Sequence, residues 1–310
     1  MRTYARINMT KIAKTIKIET THEEWLKAKQ LNFSDWVRRK LDEEIRQSER
    51  GADRKPLKAV ILAAGKDEGL SPLTDEIPKT LLDIKGKTIL ERQIEILRTA
   101  DIHDIAVVRG YKKHQIDYPG LTYFDNDAFE DTGSLVSLLM AREYLDTDTI
   151  ILYGDILFDS EALDRLIESK GDATLVVDRG WKKRYQDSKE GHTLQPELTT
   201  LAEGLEDTKI VGVGSSETAL SSEFIGLAKL SENTLPLLED VYKNIYSRKP
   251  EAAFHNADSI RMASFLDFIQ ELIEQQKQVT ALEIWRSWID VDTFEDYRNS
   301  WKLIEDFNKG

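Results

Sequence analysis

The chain has 310 residues, no cysteine and a net charge of −13, length enough for one large domain or two ordinary ones. Missing thiols exclude disulfides, thiolate metal sites and a cysteine nucleophile, and no apolar run reaches membrane-spanning length. With no continuous apolar leader segment either, the expectation is a soluble, cytoplasmic protein.

The charge is uneven: residues 1–57 carry 14 Lys/Arg against 9 Asp/Glu, and the remainder carries −18. That remainder is too acidic for a general nucleic-acid binder, and the asymmetry suggests an appended module with its own partner. Thr15-Ile16-Lys17-Ile18-Glu19-Thr20 alternates polar and apolar residues, the period of a half-buried strand. Thr21 stands as the N-cap of a helix with Glu23 and Glu24 in its first turn. Leu31-Asn32 interrupts that helix, and Ser34 caps a second one carrying Trp36, Val37, Leu41 and Ile45. So short a segment cannot bury enough surface alone, so it needs a second copy or the rest of the chain. This order of elements resembles the ribbon-helix-helix module, in which two chains pair their strands. The resemblance implies a homodimer through residues 1–50. DNA contact through Thr15, Lys17 and Glu19 is the less favoured alternative, since Glu19 opposes it. Residues 51–57 read as a linker and residues 58–310 as the second domain.

Ala59-Val60-Ile61-Leu62-Ala63 is short and β-branched enough to be a strand buried on both faces of a parallel sheet. Ala64 and Gly65 let a backbone or a phosphate come close, and a loop then runs through Leu70 and Pro72-Leu73-Thr74 to Pro78-Lys79. A small-residue loop after a strand is where open α/β sheets hold phosphates, and a returning lysine supplies positive charge. The glycines alone fit an ordinary strand–helix unit equally well. The full wording resembles the signature of the nucleotidyltransferases that activate sugar phosphates, phosphocholine and phosphonates, L-A-A-G-x-G-x-R-L-x-P-L-T followed by P-K. Asp67 stands where that pattern has glycine, and Gly69 where it has a triphosphate-gripping arginine; Lys66 is the candidate to replace it. The resemblance implies a doubly wound, Rossmann-like, mostly parallel α/β sheet. It also implies nucleotide contacts from Leu62, Ala63, Ala64, Gly65 and Lys66, with Lys79 catalytic.

An amphipathic helix is predicted over Ile89 to Ala100 and a buried strand over Ile105 to Val108, a βαβ rhythm. Lys112 and Lys113 follow, near the nucleotide in the family and equally a solvated basic turn. Tyr123 to Asn126 reads as a third strand. Asp131 to Leu138 opens a helix that Thr132 or Ser134 could cap; it resembles the family's element beside base and ribose, which implies nucleotide contacts from Gly133 and Ser134. The apolar run Ile150 to Phe158 delivers Gly154 and Asp155 at a strand's carboxyl end, where such sheets bind ligands. A carboxylate there suits Mg²⁺, and the family uses the matching aspartate as a metal ligand.

Ala173 to Val177 is another strand, followed by Asp178, Arg179, Trp181 and Lys182 in a cationic stretch. Its four cations, Arg179, Lys182, Lys183 and Arg184, set around Trp181, suit a phosphate or phosphonate dianion, or equally a solvated loop. Phe224 to Leu230 reads as a strand and residues 263–273 as an amphipathic helix. Asp267 matches, by resemblance, an aspartate near the acceptor's cationic end. Trp288-Ile289-Asp290-Val291-Asp292-Thr293 resembles the family's W-x-D-V-D-T. The match implies Asp292 as the second metal-binding aspartate, Asp290 as its neighbour and Trp288 on the substrate side. Thr293 could cap the last helix, with Asp296 reaching back.

The resemblance thus implies transfer of CMP from CTP, with Mg²⁺ as cofactor, to a phosphonate, with release of pyrophosphate. The expected acceptor is 2-aminoethylphosphonate, ahead of 2-hydroxyethylphosphonate, phosphocholine or a sugar 1-phosphate. A DNA-binding regulator whose transferase-like domain senses a nucleotide is the reading from another class.

Overall fold

The computed structural model describes residue 37 and residues 56–67, 69–182, 197–201, 209–214, 221–247, 251–285 and 287–307. The chain divides into Met1–Arg54 and Lys55–Gly310. The ribbon-helix-helix-like reading of residues 1–50 lies, but for Val37, outside the described residues, as do residues 51–55 of the linker.

β1 (Lys58–Ala63) is buried from Ala59 onward, as its unbroken apolar run requires. α1 (Ile89–Thr99) begins at a capping box: Thr88 accepts the Glu91 N–H and Glu91 accepts the Thr88 N–H. Its Ile89, Leu90, Ile94 and Leu97 are all buried, the four positions that helical spacing selects. Then come β2 (Asp104–Arg109), β3 (Thr122–Asp125), α2 (Ser134–Met140) and β4 (Thr149–Tyr153). β5 (Ile156–Phe158), α3 (Ser160–Glu168), β6 (Ala173–Asp178), β7 (Leu198–Leu201), β8 (Ile210–Gly214) and β9 (Ser221–Leu230) follow. α4 (Leu235–Ser247), α5 (Phe265–Glu274), β10 (Val279–Ile284), β11 (Trp288–Asp290) and α6 (Phe294–Phe307) complete the described elements. β7, β8, β10, α4 and the strand β11 have no counterpart in the sequence expectations, which give residues 288–293 only as a motif.

The main sheet runs β10-β6-β9-β4-β1-β2-β3, with β7 against β9 and β8 against β7. β1 pairs in parallel with β2 on one side and with β4 on the other; β9 alone on the main path is antiparallel to its neighbours, β4 and β6. Alternate residues of β1 feed opposite cores. Val60 and Leu62 pack with Leu135 and Leu138 of α2 and Phe265 and Phe268 of α5. Ala59 and Ile61 pack with Leu90, Ile94 and Leu97 of α1 and Leu163 and Leu166 of α3. Helices on both faces are why the strand is apolar throughout instead of alternating.

The run predicted as one strand over Ile150–Phe158 is two. Gly154 donates its N–H to Leu62 O at 2.9 Å, and a Cβ on it would lie 2.9 Å from Ala63 Cβ. The chain crosses close over the end of β1, leaves the sheet at Asp155 and enters a separate ribbon, β5 antiparallel to β11. That ribbon is seated on a third cluster with Leu70, Leu82, Ile84, Ile89, Leu157, Ile289, Val291 and Ile304. Leu70 therefore ties the loop after β1 to β11 and α6.

Candidate active site

Strand order reverses between β1 and β4: β2 and β3 lie to one side of β1, and β4 lies to the other. A crevice opens at the carboxyl ends of such a pair, since the following loops diverge. Here it is a cleft of about 540 Å³ lined by Leu62, Ala63, Gly65, Lys66, Asp67, Gly69, Lys79, Thr80, Gly154, Asp155 and Asp292. Exposed Lys66 lies at its rim.

Three acids from separated segments meet on Lys79. Its Nζ is 3.0 Å from Asp155 Oδ2, 2.8 Å from Asp67 Oδ2 and hydrogen-bonded to Asp292 Oδ1. Each arrives for a local reason. Lys79 opens a short 3-10 turn behind Pro78. Asp155 follows the Gly154 crossing, and its carbonyl accepts the Val291 N–H at 3.1 Å. That bond, at the end of the β5–β11 ribbon, brings the segment carrying Asp292 beside Asp155. Burial by itself would push the Lys79 ammonium down, but Asp155, Asp292 and Asp67 outweigh it and hold its pKa well above the ordinary value. Burial raises the Asp292 carboxyl, Asp290 raises it further, and Lys79 opposes both.

Asp67, passed over as a site residue in the sequence, is fixed by its own loop. Its Oδ1 accepts the Gly69 N–H at 2.6 Å, and its carbonyl accepts Thr74 Oγ–H at 2.9 Å. A Cβ on Gly69 would lie 2.7 Å from the Asp292 carbonyl oxygen, so this position carries no side chain for steric reasons. The only sequence signal was the pair of departures at 67 and 69.

The other nominated residues take varied places. Gly133 and Ser134 clamp the segment before α5: Gly133 N–H bonds Arg261 O at 2.8 Å, and Ser134 Oγ accepts the Phe265 N–H at 2.8 Å. A Cβ on Gly133 would lie 2.1 Å from Ala263 O. Lys112 pairs with Glu76 at 2.9 Å, and Lys113 with Asp125 at 3.2 Å and with Asp127. Asp178 is buried and bridges the Gly180 N–H at 2.7 Å and the Trp288 indole N–H at 3.0 Å. Arg179 is paired with Glu283 at 3.3 Å. Trp181 is buried, its indole N–H on Ser221 O at 3.1 Å, with the Lys182 ammonium 5.5 Å from its ring. Asp267 is the N3 residue of a capping box, accepting from Ser264 N–H at 2.7 Å and, on its other oxygen, from Asn256 N–H at 2.9 Å.

A further acid, with no signal in the sequence pattern, is Glu197. It accepts from the Tyr153 hydroxyl at 3.2 Å. Gly226, at φ +80°, leaves the room this ring fills, since a Cβ there would lie 2.9 Å from it. Burial pushes the Glu197 carboxyl up to about 7; the Tyr153 hydrogen bond lowers it, and the charges of Asp155, Asp267 and Asp290 raise it further. Tyr153 itself is held well above its usual value, by burial first and Glu197 next.

Residues 59–215 match the family model described as a MobA-like NTP transferase domain. The chain belongs to the MobA-like NTP transferase family. This member is therefore a nucleotidyltransferase, with Lys79, Asp155 and Asp292 gathered at the strand ends. It is 29% identical over 259 residues to the CTP:phosphoglutamine cytidylyltransferase of Campylobacter jejuni, covering 77% of this chain and 97% of that one. It is 25% identical over 205 residues to the CMP-5'-(3-aminopropyl)phosphonate synthase of Streptomyces rubellomurinus, covering 62% of this chain and 32% of that one. Among solved structures, the CTP:phosphocholine cytidylyltransferase of Streptococcus pneumoniae superposes with a TM-score of 0.60 at 20% identity. The match covers 81% of this chain and all of that one, a likeness of fold. No helix among the described residues is long and apolar enough to cross a membrane.

Proposed function

We propose that this nucleotidyltransferase is a Mg²⁺-dependent cytidylyltransferase that moves CMP from CTP to a small phosphonate, with 2-aminoethylphosphonate as the first candidate. The observation that carries the reading is the meeting of Asp155 and Asp292 on the Lys79 ammonium at the mouth of the crevice. Two hard oxygen donors reaching the same point suit a divalent cation with a phosphate as its remaining partner. Asp155 and Asp292 would hold Mg²⁺, with Asp290 beside them, and the ion would supply charge neutralisation at the α-phosphate.

The acceptor is already an anion, so no general base is required. One of its oxygens forms the bond to the α-phosphorus, the bond from that phosphorus to the bridging oxygen breaks, and pyrophosphate leaves with the electron pair. Lys79 neutralises charge developing on the phosphoryl oxygens. The loop from Leu62 to Lys66 orients the triphosphate, and Gly133 and Ser134 hold the wall beside the base. Arg179 and Lys182 supply the cations for the acceptor dianion, beside the buried Trp181 and the Asp178–Trp288 pair.

CTP is supported by three relatives whose names carry CTP or CMP, though others, such as a UTP--glucose-1-phosphate uridylyltransferase, use a different nucleotide. An acceptor with an amino group is supported by the name of the Streptomyces rubellomurinus relative, an aminopropylphosphonate synthase. Residues 1–50 are proposed to pair two chains and to take no part in the transfer. Deleting residues 1–54 should then lower the oligomeric state by light scattering and leave turnover intact.

The test of the reaction is a pyrophosphate-release screen of the four nucleotides against 2-aminoethylphosphonate, 2-hydroxyethylphosphonate, phosphocholine and sugar 1-phosphates. Release with CTP and 2-aminoethylphosphonate is expected. Release only with a sugar phosphate would replace the acceptor, and no release with any pair would overturn the enzyme reading.

A further inference from the structure

The two departures from the family signature form one structural unit. Asp67 spends one oxygen on the Gly69 N–H and presents the other to Lys79, 2.8 Å away. Thr74, only 1% exposed, anchors the Asp67 carbonyl. Any side chain at Gly69 would press on the Asp292 carbonyl and part the loop from the segment that follows β11. A bare residue at 69 and an acid two places earlier are thus what let the loop close on Lys79.

Three carboxylates on one ammonium leave negative charge in excess. Two of them, Asp155 and Asp292, are the acids proposed to hold a divalent cation, and that role takes their oxygens away from the lysine. Asp67 is the partner that remains. We infer that Asp67 is a positioning residue for the transfer. It holds the Lys79 ammonium on the nucleotide side of the crevice while Asp155 and Asp292 are engaged, and Gly69 is the position that permits it. The inference rests on the nucleotidyltransferase reading and acts through Lys79 alone.

The experiment is a double-mutant cycle of Asp67→Asn and Lys79→Met in the full chain. Asparagine keeps an oxygen for the Gly69 N–H and removes only the charge; thermal unfolding confirms that each variant folds. Turnover is read with CTP and the best acceptor of the screen. Affinity is read by calorimetry with Mg²⁺ and the non-cleavable α,β-methylene analogue of CTP. The expected result is a kcat at least about tenfold lower and an analogue affinity at least about fivefold weaker in Asp67→Asn, with acceptor KM within about twofold, and partial recovery of both in Asp67→Glu. In the Lys79→Met background the same change should cost less than about twofold in both readouts, because contacting pairs are not additive.

An equal loss in both backgrounds, or an Asp67→Asn protein as active as the parent, overturns the inference and leaves the enzyme reading standing. A parent that binds the analogue without turnover overturns the reaction, and the affinity cycle then decides Asp67. A parent that neither binds nor turns over overturns both. If Asp67→Asn fails to fold, Asp67→Ser, which also offers an oxygen to Gly69, takes its place.

Discussion

The crevice and the region of Asp178 and Asp267 are both rich in acids, and those acids behave differently. Around Lys79, Asp67, Asp155 and Asp292 come from three separated segments, and their oxygens converge on one ammonium. Asp178 and Asp267 are more buried, and each serves nearby architecture: Asp178 closes a turn and holds the Trp288 indole, and Asp267 caps α5. A carboxylate whose partners are neutral N–H donors of the surrounding turns, caps and an indole is explained by architecture. One held against a distant charge in a cleft has no such explanation, and that is where chemistry is to be sought.

The largest effects should come from breaking the convergence. Asp155→Asn and Asp292→Asn should each lower kcat/KM by roughly 10²-fold or more under limiting Mg²⁺, while thermal unfolding shifts by only a few degrees. Rates like those of the parent would erase the distinction between the two regions.

The reverse pattern is expected at the Asp267 cap. Asp267→Ala should cost about 1–2 kcal/mol in urea unfolding through loss of its capping role, with the preference among acceptors unchanged. A selective loss of 2-aminoethylphosphonate over its hydroxyl analogue would show that the cap also reads substrate.

Glu197 sharpens the comparison through pH. Its carboxyl titrates near 7 in the folded chain against an ordinary 4.5, so the folded state holds the extra proton between those values. Stability from this group is full below about 4.5, falls as pH rises towards 7 and is gone above it. Glu197→Gln should flatten that slope by an amount on the order of 2 kcal/mol, read from denaturant midpoints at pH 5 and 8. The smallest effect is expected at the rim: Lys66→Ala should raise KM for the nucleotide about threefold, worth under about 1 kcal/mol. An unmoved KM would place the triphosphate grip elsewhere.

Much of the site was legible because local pattern carries it. The apolar run of β1, the small residues after it, the helix face of α1, Gly154-Asp155 at a strand's end and the Thr293–Asp296 capping box all follow from spacing, and the structure has each of them. The edge strand β10 was harder to read, since four of its six residues are only partly buried and its pattern is weak. α4 did carry an apolar run, Leu235-Pro236-Leu237-Leu238, which went unread.

By itself the sequence determined β1, the helix α1 and the residue types at the strand ends of the crevice, but not that the chain breaks at Gly154 into β4 and β5. Only the tertiary structure decided which acids meet Lys79, that Asp178 and Asp267 serve architecture, that Glu197 faces Tyr153, and that Gly69 must be bare beside Asp292. The physical reason is range. Helix caps and strand faces are settled within a few residues, whereas the partners of Lys79 lie 76 and 213 positions along the chain, brought into reach by the crossing at Gly154 and the β5–β11 ribbon.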